Sequence, residues 1–400
     1  MLQTALVAAR DRRRLQQIGT VLVRFGLDDF VQRSGLRGLL RQLGLRQEPP
    51  DAEARLLSLP ARVRRALEEL GPTFIKLGQV LASRADLLPP DWIEELERLH
   101  SHVPALPFEA LRPQVEDDLG APPEEVFARF EPLPLASASI AQVHRATLRD
   151  GQEVVVKIRR PGLRPLVEAD LRLLSHLTGM LEAEWPELAR YRARDILRQL
   201  LGAMREELDL VNEGRNAEAI AAGFADRPEI VFPRIHWEYT TERLLVEDHL
   251  EGQHPRDRAT LEAAGMNTAI LAHRGAEAFF RMTLVDGLFH ADPHPGNVLC
   301  QSGNRIALLD FGTIGRLSLR RRDQVLTLIA ALARGKSAGV SDVLLDWAGQ
   351  PEVDPVAVAE AADAFVARHS TGPLLLSQAI PDFMGLMRDH GLALPADLAQ

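Results

Sequence analysis

This chain of 400 residues is short of lysine and cysteine, and it lacks both a long apolar run and a dominant positive charge. Only Lys76, Lys157 and Lys336 are lysines, so 44 of the 47 basic residues are arginine. Arginine therefore serves wherever any cation suffices. A position that keeps lysine asks for a compact ammonium on a flexible stem in place of a bulky planar fork. The single cysteine, Cys300, excludes an internal disulfide framework, fits a reducing compartment and reads as a small buried hydrophobe. No apolar run reaches about 18 residues, so no segment is expected to span a membrane. The early LVAA stretch is too short before Arg12-Arg13-Arg14 to read as a secretory signal. A net charge of −9 argues against a general nucleic-acid binder, which needs a basic footprint.

The charge is uneven. Residues 1–46 hold nine arginines against Asp11, Asp28 and Asp29, a balance of +6 that leaves −15 for the remainder. Such a leader is either a docking face for anionic lipid or a partner, or a helical arm packed on its own protein. With 46% hydrophobic and 26% charged residues the chain reads as folded, and its length implies two or three structural units. There is no internal repeat or low-complexity segment.

The first 130 residues are mostly helical in pattern. Val63, Leu67, Leu70, Phe74, Leu77 and Leu81 recur at helical spacing, and Gly71-Pro72 divides the stretch into two helices, the second starting at Pro72. Lys76, Gln79 and Ser83 share a face of that second helix opposite the leucines. Asp91 is expected to cap a helix through residue 100. From about residue 131 the texture changes: 140–147 and 153–159 read as strands joined by an Asp150-Gly151 hairpin turn. Helices over 163–184 and 192–223 follow, then strands over 231–235 and 243–250. After Gly252 the pattern is helical again, apart from a loop-and-strand region at 290–312. A small sheet with helices followed by a helical half is the outline of an α+β, bilobal kinase-like fold.

The chemistry lies in FHADPHPGNVLC and LLDFGTIGRL. His290-x-Asp292, with Asn297 five residues after the aspartate, has the spacing of a kinase catalytic loop, and Asp310-Phe311-Gly312 supplies a second metal ligand. A nucleoside triphosphate crowds negative oxygens together, so hard cations held by carboxylate and amide oxygens must neutralise them before a phosphate is attacked. Asn297 and Asp310 are the expected magnesium ligands, with Asp292 beside the acceptor as base or positioning group. Such a loop demands an upstream strand lysine for the phosphates, and VVVKIRR delivers Lys157. Its glutamate partner is expected on a following helix, where EELDLVNEGRN offers Glu207, Asp209 and Glu213, with Glu206 on a solvated face. The segment Glu247-Asp248-His249 is the candidate hinge for the adenine base. The phosphate-covering loop departs from an ordinary kinase. In place of a glycine-rich turn stands PLASASIAQVHRA, whose backbone is stiffer without glycine.

Together these residues resemble the UbiB family of atypical kinases, associated with ubiquinone biosynthesis, over roughly residues 60–400. Lys76-Leu77-Gly78-Gln79, with Arg84 and Asp86-Leu87-Leu88-Pro89 after it, resembles the family's KxGQ element. Ala136-Ser137-Ala138-Ser139 resembles its alanine-rich loop, and Glu207-Leu208-Asp209 its ExD element. Glu213 falls where the family's lysine-pairing glutamate lies. Two departures are Ser137, where alanine is usual, and Ala141, where glycine is common. The closing LPADLAQ resembles a segment that the family continues, often into transmembrane helices.

The resemblance implies a helical extension (residues 1–125) whose Lys76 is directed toward Glu207 and Asp209, an N-lobe (126–250) and a C-lobe (251–400). It also implies ATP and Mg2+ as cofactors, and ATP hydrolysis stimulated by membrane lipid or phenolic quinone precursors. The expected partners are such small molecules, the cytoplasmic face of the inner membrane and other ubiquinone-biosynthesis proteins, with a homo-oligomer left open. Two other classes compete. An aminoglycoside- or choline-type phosphotransferase shares the His-x-Asp and Asn logic but explains neither KLGQ nor ExD. A nucleotide-binding scaffold without turnover is the other.

Overall fold

The computed structural model describes residues 11–27, 56–99, 104–184, 193–348, 353–370, 375–395 and 398. The chain divides into two compact units, one of residues 1–101, 165–202 and 323–400, the other of residues 102–164 and 203–322.

The first unit is helical. Helices Arg12–Arg24, Leu59–Leu70, Pro72–Ala82 and Pro90–Glu97 share a core with Leu173 of the long helix Leu163–Glu184. Leu67, Leu70 and Phe74 are buried in that core and Val63, Leu77 and Leu81 pack against it, as the periodicity predicts. Each such side chain contributes about 1.5–3 kcal/mol when fully buried. Asp91 is not a cap: Pro90 takes the first helical position, so Pro89 caps and Asp91 sits in the first turn. The leader is helical over Arg12–Arg24 and packs on its own protein. Arg14 is buried and holds Asp170 through Nε at 2.5 Å and Nη2 at 2.9 Å. The other leader residues, 1–10 and 28–46, lie outside the described residues. A second core joins Leu332, Val340, Leu344, Val358, Phe365 and Met387 from the helices after residue 323.

The second unit carries the strands: β1 (Arg129–Ser137), β2 (Ala141–Thr147), β3 (Glu153–Arg159), β4 (Ile230–Val231), β5 (Leu244–Asp248), β6 (Leu288–His290), β7 (Val298–Gln301), β8 (Arg305–Leu308) and β9 (Ile314–Arg316). The main sheet is antiparallel in the order β1-β2-β3-β5. Its hairpin turns at Gly151, whose φ of +91° suits glycine. Alternation gives the sheet two faces. Val154, Val156, Ile158, Leu244 and Val246 point into a core with Phe108, Leu111 and Val115 of helix Phe108–Leu119. Lys157 and Glu247 therefore face the other way, since Lys157 pairs with Leu245 and Val155 with Glu247. Two small sheets complete the unit, β4-β8-β7 and β6-β9.

Two expectations need correction. The strand expected over 231–235 stops at Val231 and pairs parallel with β8, because Pro233 has no N–H for a ladder; Ile235 makes a single bridge to Glu247. The helix expected over 192–223 is two helices, Ala193–Glu207 and Leu210–Ala222. Asp209 is extended between them and its carboxylate accepts the Val211 N–H at 3.1 Å, restarting the helix as an N-cap.

Candidate active site

That cap aims the helix Leu210–Ala222 so that Glu213 meets the sheet. Glu213 Oε1 lies 2.8 Å from Lys157 Nζ, and Asp310 Oδ1 lies 3.3 Å from the same ammonium. One turn along, Asn216 donates to the Phe311 carbonyl at 3.1 Å, and Phe311 is fully buried against Phe232 and His290. The lysine strand, the glutamate helix and the Asp310-Phe311-Gly312 turn are thus one hydrogen-bonded assembly. Asp310 itself sits at φ +57°, a conformation uncommon for a residue with a side chain, and its carboxylate accepts the Gly312 N–H at 3.2 Å.

The catalytic loop is built on a buried histidine. His290 Nδ1 accepts the Asp292 N–H at 3.1 Å, so Nε2 carries the proton and donates to the Leu309 carbonyl at 3.0 Å. Burial pushes His290 below its ordinary range, which keeps the neutral form this pattern needs. Asn297 donates Nδ2 to the Asp292 carbonyl at 3.2 Å, leaving its oxygen as the group available to a cation. The Leu309 N–H donates to the Asn297 carbonyl at 2.9 Å, tying the loop to the strand before Asp310.

The electrostatics are lopsided. Around one ammonium gather the carboxyls of Glu213, Asp310 and Glu247. Burial disfavours the Lys157 charge, but Asp310, Glu213 and Glu247 outweigh it and hold the ammonium above the ordinary lysine range. Burial also opposes ionisation of Asp310, yet Lys157 and the Gly312 N–H hold this carboxyl below the usual carboxylate range. Glu247 bears the strain: burial lifts it to about 8, with Glu213 adding to the rise and Lys157 opposing it. At the hinge, the N–H groups of Asp248 and His249 are already engaged, donating to the carbonyls of Arg234 and Glu153 at 3.0 Å each. The Asp248 carboxylate is held by Gln152 at 2.6 Å and His236 at 2.9 Å.

The sequence profile of the ABC1 atypical kinase-like domain matches residues 98–344, the span that holds all of these groups. The chain belongs to this family. Within it, the UbiB resemblance is carried by proteins named "Probable protein kinase UbiB". The one from Marinobacter nauticus is 41% identical over 309 residues, covering 76% of this chain and 56% of that protein. The one from Pseudomonas paraeruginosa is 36% identical over 357 residues, 88% of this chain and 67% of that protein. The chain thus spans little more than half the length of the first relative. A solved structure, the complex of Rv3197 with erythromycin from Mycobacterium tuberculosis, shares the fold at 20% identity, with a TM-score of 0.52 over 93% of this chain and 97% of that one.

Two further family elements acquire physical reasons. In the first unit, Gly78 of Lys76-Leu77-Gly78-Gln79 lies where a Cβ would collide with Leu99 and come within 2.9 Å of Leu67, so the helix needs glycine to approach its neighbours. Lys76 and Gln79 are half-buried on this helix, while Ser83 is exposed and donates to the Val80 carbonyl at 2.9 Å. In the second unit, Ala136 and Ala138 are exposed and Ser137 and Ser139 half-buried. Arg160 straps their loop, donating to the Ala138 carbonyl at 2.9 Å, the Pro104 carbonyl at 2.9 Å and Ser137 Oγ at 2.7 Å. The departure at Ser137 thus adds an acceptor that alanine lacks. Glu207 of the ExD element accepts from Thr313 Oγ, one residue past Gly312, at 3.1 Å, and Glu206 is exposed as expected.

The sequence reading missed Asn216, Arg160 and Thr313. Only Asn216 leaves a signal, three residues after Glu213 and so on the same helical face.

Proposed function

We propose that the chain is an ATP- and magnesium-dependent atypical kinase or ATPase that supports isoprenoid quinone synthesis at a membrane surface, where lipid or phenolic quinone precursors stimulate it. The observation that carries this reading is the cluster of the Lys157 ammonium with the buried carboxyls of Glu213 and Glu247 and the half-exposed carboxyl of Asp310, beside Asn297 and Asp292. A site with more carboxyls than ammonium groups, burial holding Glu213 up to about 7 and Glu247 to about 8, suits a divalent cation brought in with phosphate, which would favour their ionised forms. The donor set fits magnesium, which takes one or two protein oxygens and fills its shell from water and phosphate.

Asp310 and the Asn297 oxygen would hold the ion, and bound magnesium supplies charge neutralisation of the phosphate oxygens. Lys157 would hold the α and β phosphates while Glu213 fixes its ammonium. The strapped end of β1 and the turn after it, Ala136–Ser139, would cover the phosphates, and Glu247, Asp248 and His249 would border the base. Asp292 would orient the acceptor hydroxyl or water. The UbiB resemblance gives Lys76 the task of excluding a protein substrate, which favours hydrolysis or a small acceptor. Among the described residues no helix is long and apolar enough to cross a membrane. The quinone connection rests on the UbiB resemblance, since the relatives' own name says no more than probable protein kinase.

The test is phosphate release from Mg-ATP, with and without anionic lipid vesicles and a phenolic precursor, against Asp310→Asn. Turnover by the wild type at least about 10²-fold above the variant is expected, together with stabilisation of about 2.7 kcal/mol at 100-fold excess over Kd. Stabilisation without turnover would favour the scaffold, and neither would end the nucleotide reading.

A further inference from the structure

Histidines other than His290 shape the catalytic loop, and their partners fix where each proton sits. His254 turns Nδ1 toward the carbonyls of Pro295 and Val298, both at 3.1 Å, so that nitrogen carries its hydrogen. His294 is reversed. Its Nδ1 accepts the Gly296 N–H at 2.9 Å, so the hydrogen of the neutral ring sits on Nε2, which lies 4.0 Å from Asp292 Oδ2. That gap exceeds a hydrogen bond, and a small rotation of the exposed Asp292 side chain would bring its carboxylate to the Nε2–H.

The ring is held there from several sides. A Cβ on Gly296 would lie 2.5 Å from His294 Cε1 and 2.8 Å from Nδ1, so the loop leaves room for the imidazole only because residue 296 is glycine. The His294 N–H donates to the Asp292 carbonyl at 2.9 Å, and the His294 carbonyl accepts the Asn297 N–H at 2.9 Å. The backbone thus dictates both the tautomer and the direction of the remaining N–H. The sequence reading gave this ring no task.

We propose that His294 is a positioning residue for Asp292: its Nε2–H, aimed by the Gly296 amide, draws the Asp292 carboxylate into one orientation toward the acceptor hydroxyl or water. The inference rests on the role of Asp292 in the function proposed above. No proton needs to leave His294, because a fixed donor beside an otherwise mobile carboxylate is enough to narrow its orientations. Asp292 has its side chain 64% exposed, so without that donor it would sample many.

Two variants separate this role from simple bracing of the loop. His294→Asn keeps a short acceptor for the Gly296 N–H but removes the N–H that reaches Asp292. His294→Gln keeps a reaching N–H and gives up the cap. Steady-state phosphate release from Mg-ATP is measured on the full chain for the wild type, both variants and Asp292→Asn. The expected result is a kcat about 10- to 100-fold lower in His294→Asn, with KM for ATP and thermal stabilisation by Mg-ATP close to wild type. His294→Gln should stay near wild-type kcat, and His294→Asn should add nothing to Asp292→Asn. Wild-type kcat in His294→Asn overturns the proposal. So does an equal loss in both variants with a lowered Tm, which would make the ring a brace alone. If wild-type turnover equals that of Asp292→Asn while His294 is intact, the ATP-turnover reading fails, and the proposal fails with it.

Discussion

Two charge clusters in this molecule differ in balance: one is wholly buried, the other is buried except at Asp310, whose side chain is half-exposed. In the helical unit, Arg84 and Asp86 form a two-bond fork at 2.9 and 2.8 Å with side chains 1% and 0% exposed, and the Leu394 N–H adds a third bond to Asp86 at 2.8 Å. One charge meets one charge and every carboxylate oxygen is occupied. In the sheet-bearing unit, Lys157 faces Glu213, Asp310 and Glu247, three carboxyls for one ammonium. Burial without balance is costly, and proteins keep it where a ligand supplies the missing charge. Charge balance thus separates the brace from the candidate site.

Breaking the brace should have the largest effect. Arg84→Met strands the Asp86 carboxylate, and a loss of about 3–5 kcal/mol is expected, read as a fall in the urea midpoint. Replacing Asp86 by leucine in the same chain should recover much of that loss.

Relieving the imbalance should stabilise the ligand-free protein. Glu247 is raised in the folded state, from about 4.5 to about 8. The unfolded chain therefore ionises this group first, and its contribution, complete below about 4.5, is lost as pH rises through about 8. In chelator and without nucleotide, Glu247→Gln should raise Tm by several degrees at pH 8 and change it little at pH 4.5. An equal rise at both values would show that packing, and not charge, is responsible.

The smallest contrast concerns the scarce lysines. Lys76→Arg should alter KM for ATP or basal phosphate release by about threefold or more, because a planar fork replaces a point charge. Lys336→Arg, at an exposed position, should leave both unchanged. Matching behaviour of the two would return Lys76 to ordinary helix surface.

Much of this was legible in sequence because its signals are local. Leucine spacing marks the helices through Ala82, Asp150-Gly151 marks the β2–β3 hairpin, and fixed spacings mark His290 to Asn297 and Asp310 to Gly312. The pairing of Lys157 with Glu213 was legible through the UbiB resemblance. Other features depend on partners far along the chain. The helix break at Asp209 is compatible with the local pattern, since aspartate is tolerated in a helix face as well as at a cap. β4 takes a partner 76 residues away, as Ile230 pairs with Ile306. Arg160 finds its strap only after β2 has brought β1 and β3 into one sheet, and no periodicity announces that Leu394 will satisfy Asp86.

That last contact has a consequence for synthesis. Asp86 and Leu394 are 308 residues apart, so at about 5–20 residues per second the loop after the Lys76 helix waits roughly 15–60 s for its final partner to leave the ribosome. During that interval Arg84 and Asp86 have only each other. The loop after the Lys76 helix is thus locked only once Leu394 has emerged, long after its own helix has been made.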